Sequence, residues 1–313
     1  MVSVSVLFES LAGLFLLLGA GFFAVKARLV PASGFDPMVA LLMKIALPAA
    51  VFTALIRPFD AGFLLEGGAI FLLGMVCFPL FTLMALGLSR LLHIPKERRG
   101  TWCFCVAFPN CALIGYPVAF ALFGEVGLSL AVFFCVAFNL LCFTMGAAVM
   151  NSGGTAGADG GRGGKLRAAL CTPVNAATLA GLICYCAQIS VPQVLMTPLE
   201  YLADLTTPLS MFVTGMSLAQ GKFGEHIRDR EALLASLARL LVCPLTAWAL
   251  ITLLPLEWTM VTRLALVLAA TPCAAVVTLM AGQYGGCVTL GARSVFLSSL
   301  FCIVTLPVIF LLL

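Results

Sequence analysis

The stretch Ala107-Phe108-Pro109-Asn110-Cys111, followed by Gly115 and Pro117, decides how this chain folds. It lies in the middle of an apolar run that would otherwise form one continuous helix. Proline has no amide hydrogen, and its ring clashes with the carbonyl four residues back, so the run is expected to break there. A second proline recurs in a like setting, Ala270-Thr271-Pro272-Cys273, 163 positions after the first; Arg99 precedes one and Arg263 the other. Another pair of runs, Lys44-Ile45-Ala46-Leu47-Pro48 and Asp204-Leu205-Thr206-Thr207-Pro208, repeats at 160 positions. Proline-bearing pairs at nearly one spacing predict an internal duplication.

The surrounding composition sets the solvent. Of 313 residues, 62% are hydrophobic and 10% charged, against roughly 45–50% and 25% in soluble domains. So few charges cannot cover a soluble surface of this size, which excludes a cytosolic enzyme, a nucleic-acid binder and a disordered regulator. A helical span needs roughly 20 mostly apolar residues. Ten such segments fit, at 4–25, 35–56, 65–89, 101–123, 126–150, 172–189, 197–220, 231–254, 261–283 and 288–312. The first is read as a span rather than a cleaved signal, because no basic region precedes it. The 13 cysteines lie almost all in apolar segments without a paired framework, and are read as small hydrophobes with no metal role.

The predicted fold is therefore an all-α integral membrane protein of ten helices. Residues 1–150 form a first five-helix repeat, 151–170 a Gly-rich linker, and 171–313 a second five-helix repeat. Five spans per half invert the second repeat relative to the first, as in many secondary transporters. Lys26, Arg28, Arg90, Lys96, Arg98, Arg99, Arg162, Lys165, Arg167, Lys222, Arg228 and Arg230 fall in alternate loops, whereas the opposite loops hold only Arg57 and Arg263. This bias predicts a cytoplasmic linker and both termini outside.

If helices 4 and 9 break and cross, two half-helix amino termini face the midplane, each with roughly half a positive charge. The opposed carbonyl ends would suit a cation or a proton donor. That geometry fits a small anion moved with H+ or Na+; the competing reading is a packing kink in each helix. Asn110 either caps the second half-helix or faces a ligand carboxylate. Lys44 and Asp204 lie deep in equivalent spans, and either pair with each other or serve substrate or proton coupling. Arg239 and Arg293 either snorkel to headgroups or draw an anion inward, and Arg239 joins Lys44 and Asp204 as a candidate coupling or ion-pair residue. Pro109, Cys111, Gly115, Thr271, Pro272, Cys273 and Thr278 complete the candidate binding set, with Asn139 and Asn175 as further polar candidates.

These residues resemble the auxin efflux carrier family, which includes bacterial malonate or malate permease-like members. The likeness rests on Pro109, Asn110, Gly115, Pro117 and Gly124; on Thr172-Pro173 with Leu179 to Leu182; on Asp204 with Met211-Phe212 and Gly215; on Arg239 and Pro244; and on Ala270, Pro272, Ala281, Tyr284 and Leu306-Pro307. It departs at Cys273, where auxin carriers have glutamine, at Val276, where many bacterial members have asparagine, and at Thr172, which replaces asparagine. The resemblance implies a bile-acid-symporter-like architecture and an elevator-type carrier for a small organic carboxylate such as malonate, malate or an auxin-like acid. Helices 1, 2, 6 and 7 would form the scaffold and a possible homodimer interface in the plasma membrane, with no catalytic residue and no cofactor. The chain has no phosphate-binding GxxxxGK[ST] motif. An ion or solute channel, or an uncoupled uniporter for a neutral metabolite, is the alternative. An intramembrane hydrolase built on Ser217 would lack a histidine base, since His93 and His226 fall in loops.

Overall fold

The computed structural model describes residues 4–151, 173–220, 226–254 and 256–310, and the side chains of most of them. The linker expected at 151–170 and the loop lysine Lys222 lie outside the described residues, apart from Asn151. The elements are α1 (Val4–Lys26), α2 (Phe35–Leu55), α3 (Ala61–Leu91), α4 (Lys96–Ala107), α5 (Cys111–Asn151), α6 (Pro173–Ala187), α7 (Gln193–Asp204), α8 (Thr206–Gln220), α9 (Arg230–Leu253), α10 (Met260–Ala269), α11 (Val277–Tyr284) and α12 (Val288–Phe310). Among the described residues there is no strand, and α2, α3, α5, α9 and α12 are each long and apolar enough to cross a membrane. Gly124, at φ 64° and ψ −157°, interrupts the helical path of α5, a conformation open to glycine because it has no Cβ. Residues 111–123 and 125–151 are therefore two helical arms.

Proline also shapes three helices without ending them. A five-residue π turn lies just before Pro48 (Leu42–Ala46), before Pro117 (Cys111–Gly115) and before Pro244 (Ala238–Val242). The proline cannot donate to the carbonyl four residues back and crowds it; widening the preceding turn relieves both problems. Lys44 and Arg239 both sit in these widened turns.

Packing divides the helices into two groups. α1 lies along α8, and α2 along α6 and α7; α3, α4 and α5 pack together, as do α9, α11 and α12, with α10 against α5 and α3. The α1–α8 contact is main chain on main chain. A Cβ on Gly21 would stand 2.0 Å from the Phe212 carbonyl oxygen, and one on Gly215 would stand 1.9 Å from that of Leu18. Small residues let helices approach this closely where lipid supplies no hydrophobic drive. By contrast α4 is buried on every side from Gly100 to Ala107, and α10 from Leu264 to Ala269, as expected of helices apolar all round. Leu16, Leu65, Leu72, Leu83 and Val304 face outward, which leaves an apolar exterior.

Candidate functional site

α4 stops at Ala107 and α10 at Ala269. The segments after them run antiparallel and bridge at Pro109 and Cys273. The Asn110 amide donates to the Pro272 carbonyl (2.7 Å), and the Ala274 amide to the Phe108 carbonyl (3.0 Å). Four helix ends therefore meet at one point: the carboxyl ends of α4 and α10 on one side, the amino ends of α5 and α11 on the other.

The carboxyl side is dry and occupied. Arg239 of α9 is fully buried. Its Nε donates to the Thr271 carbonyl (3.2 Å), Nη1 to those of Val106 (2.9 Å) and Ala107 (3.2 Å), and Nη2 to that of Ala269. Its carbon centre lies 5.5 Å from the ring centre of Phe81, within reach of a cation–π attraction. Among the described residues no carboxylate pairs with it. Its charge is balanced by the negative ends of two helix dipoles and satisfied by carbonyls. This overturns the headgroup-snorkelling reading of Arg239: depth along its own helix placed it near the surface, but its neighbours are two helix ends. Arg293 does not stand free in solvent either. It pairs with Asp229 (2.8 Å), which also binds Arg98 (2.7 Å) and caps α9 through the Ala232 amide (3.3 Å). Burial works to raise the Asp229 carboxyl, but the hydrogen bonds from Arg98 and Arg293 outweigh it and hold the group below the usual aspartate value.

The amino side is hollow. A cavity of about 210 Å³ is lined by Pro109, Asn110, Cys111, Ala112 and Leu113 from one arm, by Ala274, Ala275 and Val276 from the other, and by Met43, Tyr116, Phe138, Phe143 and Val174 around them. No lining residue is charged. Asn110 caps α5, its Oδ1 accepting from the Leu113 amide at 3.1 Å; among the described residues its Nδ2 makes no hydrogen bond. The amides of Ala112, Ala275 and Val276 likewise have no partner among the described residues. Asn139 lines the same cavity and donates to Asn175 Oδ1 (2.8 Å), so the two further polar candidates meet at its edge.

The other candidates lie elsewhere. Thr271 and Cys273 are fully buried and outside the cavity lining; Thr271 Oγ1 donates to the Leu268 carbonyl (2.8 Å), and the Cys273 amide to Ser298 Oγ (3.1 Å). Pro272 contributes its carbonyl to the bridge, and Thr278 Oγ1 bonds the Ala275 carbonyl (3.2 Å). Gly115 closes the first turn of α5 through the Asn110 carbonyl (3.0 Å). Lys44 and Asp204 are both exposed and form no ion pair with each other. Equivalent places in the two expected repeats are not a contact: Asp204 instead lines a separate cavity of about 90 Å³ with Thr53, Tyr116 and Glu125. Ala112, Ala275 and Val276 were missed because a main-chain amide leaves no side-chain signal; the nearby prolines were the only pointer.

Comparison with known proteins agrees with an apolar membrane protein. A family model described as membrane transport protein matches residues 6–159 and 164–310. An uncharacterized transporter of Methanothermobacter thermautotrophicus is 26% identical over 275 residues, covering 85% of each chain. One of Methanocaldococcus jannaschii is 25% identical over 276 residues, again covering 85% of each. Matching nearly end to end, this multi-pass membrane chain is a transporter rather than an enzyme, and it belongs to the membrane transport protein family, the auxin efflux carrier-like group.

Proposed function

We propose that this transporter is a secondary carrier for a small organic carboxylate, bound in the cavity at the amino ends of α5 and α11. One observation carries the reading. Residues with unpartnered amides, and Asn110 with its unpartnered Nδ2, line an uncharged cavity, while a buried guanidinium without a carboxylate partner among the described residues lies behind the bridge. Helix amino ends and free amides favour an anion, and the cation behind them adds to that field. Only one such anchor is built, and Met43, Phe138, Phe143 and Val174 surround it. This supports an acid whose remainder is apolar over a dicarboxylate.

The same reading takes the chain as ten spans in two inverted five-helix repeats, 1–150 and 171–313, joined by a cytoplasmic linker in a plasma membrane of bacterial type, with both termini outside. α4 with the first arm of α5, and α10 with α11, are the two broken, crossing helices. α1, α2, α6, α7 and α8 form a scaffold, through which a homodimer would assemble. The rest slides against it as a body, carrying the anion across. The cavity reaches toward Phe143, on the linker side of α5, which supports an inward-facing state.

Uptake of labelled malonate, malate and indole acetate into proteoliposomes, with and without proton and sodium gradients, tests this. Saturable uptake of one carboxylate, lost when Asn110 becomes aspartate, is the expected result. No uptake of any acid under any gradient overturns the carboxylate assignment.

A further inference from the structure

Broken helices that meet carboxyl end to carboxyl end create a natural cation position, because two negative dipole ends share one small volume. In a carrier that position is where a co-transported ion would bind. Here seven carbonyls around that position already accept hydrogen bonds from the protein. Those of Val106, Ala107, Ala269 and Thr271 accept from Arg239, that of Phe108 accepts from the Ala274 amide, that of Pro272 from the Asn110 amide, and that of Leu268 from the Thr271 hydroxyl. Cys243 Sγ adds a second donor to Val106 (3.2 Å). Arg239 uses four N–H bonds and is fully buried, in the widened turn that Pro244 imposes on α9.

We propose that the Arg239 guanidinium is a resident counter-cation: it permanently fills the cation position between α4 and α10, so the protein binds no sodium there. This deepens the carrier reading and rests on it for its consequence, that transport is driven by a gradient of protons or of the substrate itself and not by sodium through this site. The binding claim stands on the geometry alone. A guanidinium suits the place because its planar fork reaches several carbonyls at once, and because it stays charged at any physiological pH. A mobile ion would have to displace it and leave a charged group buried without partners, which is costly.

The test uses the purified full chain in lipid nanodiscs and follows thermal melting. Sodium is titrated against choline at constant ionic strength, and the expected result for the wild type is no saturable shift. A saturable rise with sodium overturns the proposal, and this arm needs no variant. Arg239→Ala is expected to melt lower by at least roughly 5 °C, and to recover part of that loss, saturably, with millimolar methylguanidinium or with sodium, neither of which moves the wild type. An Arg239→Ala protein as indifferent to both cations as the wild type also overturns it. Because melting involves no transport, the two readings fail separately: sodium stabilisation of a protein that carries carboxylates removes the resident cation and keeps the carrier, while absent transport in a sodium-indifferent protein does the reverse.

Discussion

The two sides of the helix junction contain the same kind of object, a pair of helix ends facing each other, and they end up opposite. On the carbonyl side a buried side chain of the protein supplies the opposing charge and donates to the carbonyls of Val106, Ala107, Ala269 and Thr271. On the amide side, among the described residues, no carboxylate supplies it, the amides of Ala112, Ala275 and Val276 and the Asn110 Nδ2 have no partner, and a cavity of about 210 Å³ remains. The difference teaches how a membrane protein separates structure from traffic. Unpaired main-chain groups at depth are tolerated only beside protein or a wet cavity. Where the partner is permanent the junction is scaffolding; on the amide side, the proposed function gives the unmet donors a partner that comes and goes.

Removing Arg239 should break this contrast most severely. Arg239→Met leaves the buried carbonyls of Ala107, Ala269 and Thr271 without donors and that of Val106 with the Cys243 thiol alone; at about 1–3 kcal/mol for each unsatisfied group a loss of several kcal/mol is expected, and melting temperature and yield of folded protein measure it. Next in size is Asn110→Asp, which inserts a negative charge on the amide side while keeping an equally good helix cap. Melting should stay within about 1 kcal/mol of the wild type, because the cap survives, while uptake of an anion falls at least about tenfold through like-charge repulsion. Uptake equal to the wild type would mean that Asn110 only caps. Asn139→Leu removes the bond to Asn175 at the cavity edge; a few-fold change in KM is expected with melting nearly unaltered, read from the uptake curves.

The smallest effect lies at the far end of α4 and α9, where Asp229 joins Arg98 and Arg293. Its carboxyl is held below its ordinary value despite burial. Its stabilising contribution is thus complete above the ordinary aspartate range and lost as pH falls through the lowered value. Melting of the wild type should decline on acidification below roughly pH 4. Asp229→Asn should melt slightly lower at neutral pH and lack that step.

How much of this could be read beforehand depends on whether a residue acts through its own chain or through its neighbours. Pro109 and Pro272 act locally, so the breaks at Ala107 and Ala269 were legible, and so was the class of protein from composition. Arg239 was not. Counted along α9 it lies near a headgroup, and only the placement of α4 and α10 turns it inward. The Lys44–Asp204 pair is absent for the converse reason: matching positions in two expected repeats do not imply proximity, and Asp204 faces a cavity shared with α5. Thr271 and Cys273 drew attention as polar side chains beside a proline, when the groups left open there are the amides of Ala275 and Val276. Gly21 carries no signal in the sequence and Gly215 enters only through the family likeness, since a tight helix contact shows only when both partners are known.

The bridge between Pro109 and Cys273 has a bearing on how such proteins diversify. Its two hydrogen bonds run main chain to main chain, and the open amides of Ala112, Ala275 and Val276 exist for any residue but proline. If the cavity holds the proposed carboxylate, mutational drift can rewrite Met43, Phe138, Phe143 and Val174, and with them the choice of cargo, without touching the main-chain amides that would hold the charge. Descendants of one ancestor could trade substrates by repainting the walls while inheriting an unchanged anchor, which makes the fold easy to reuse and its cargo hard to guess from kinship.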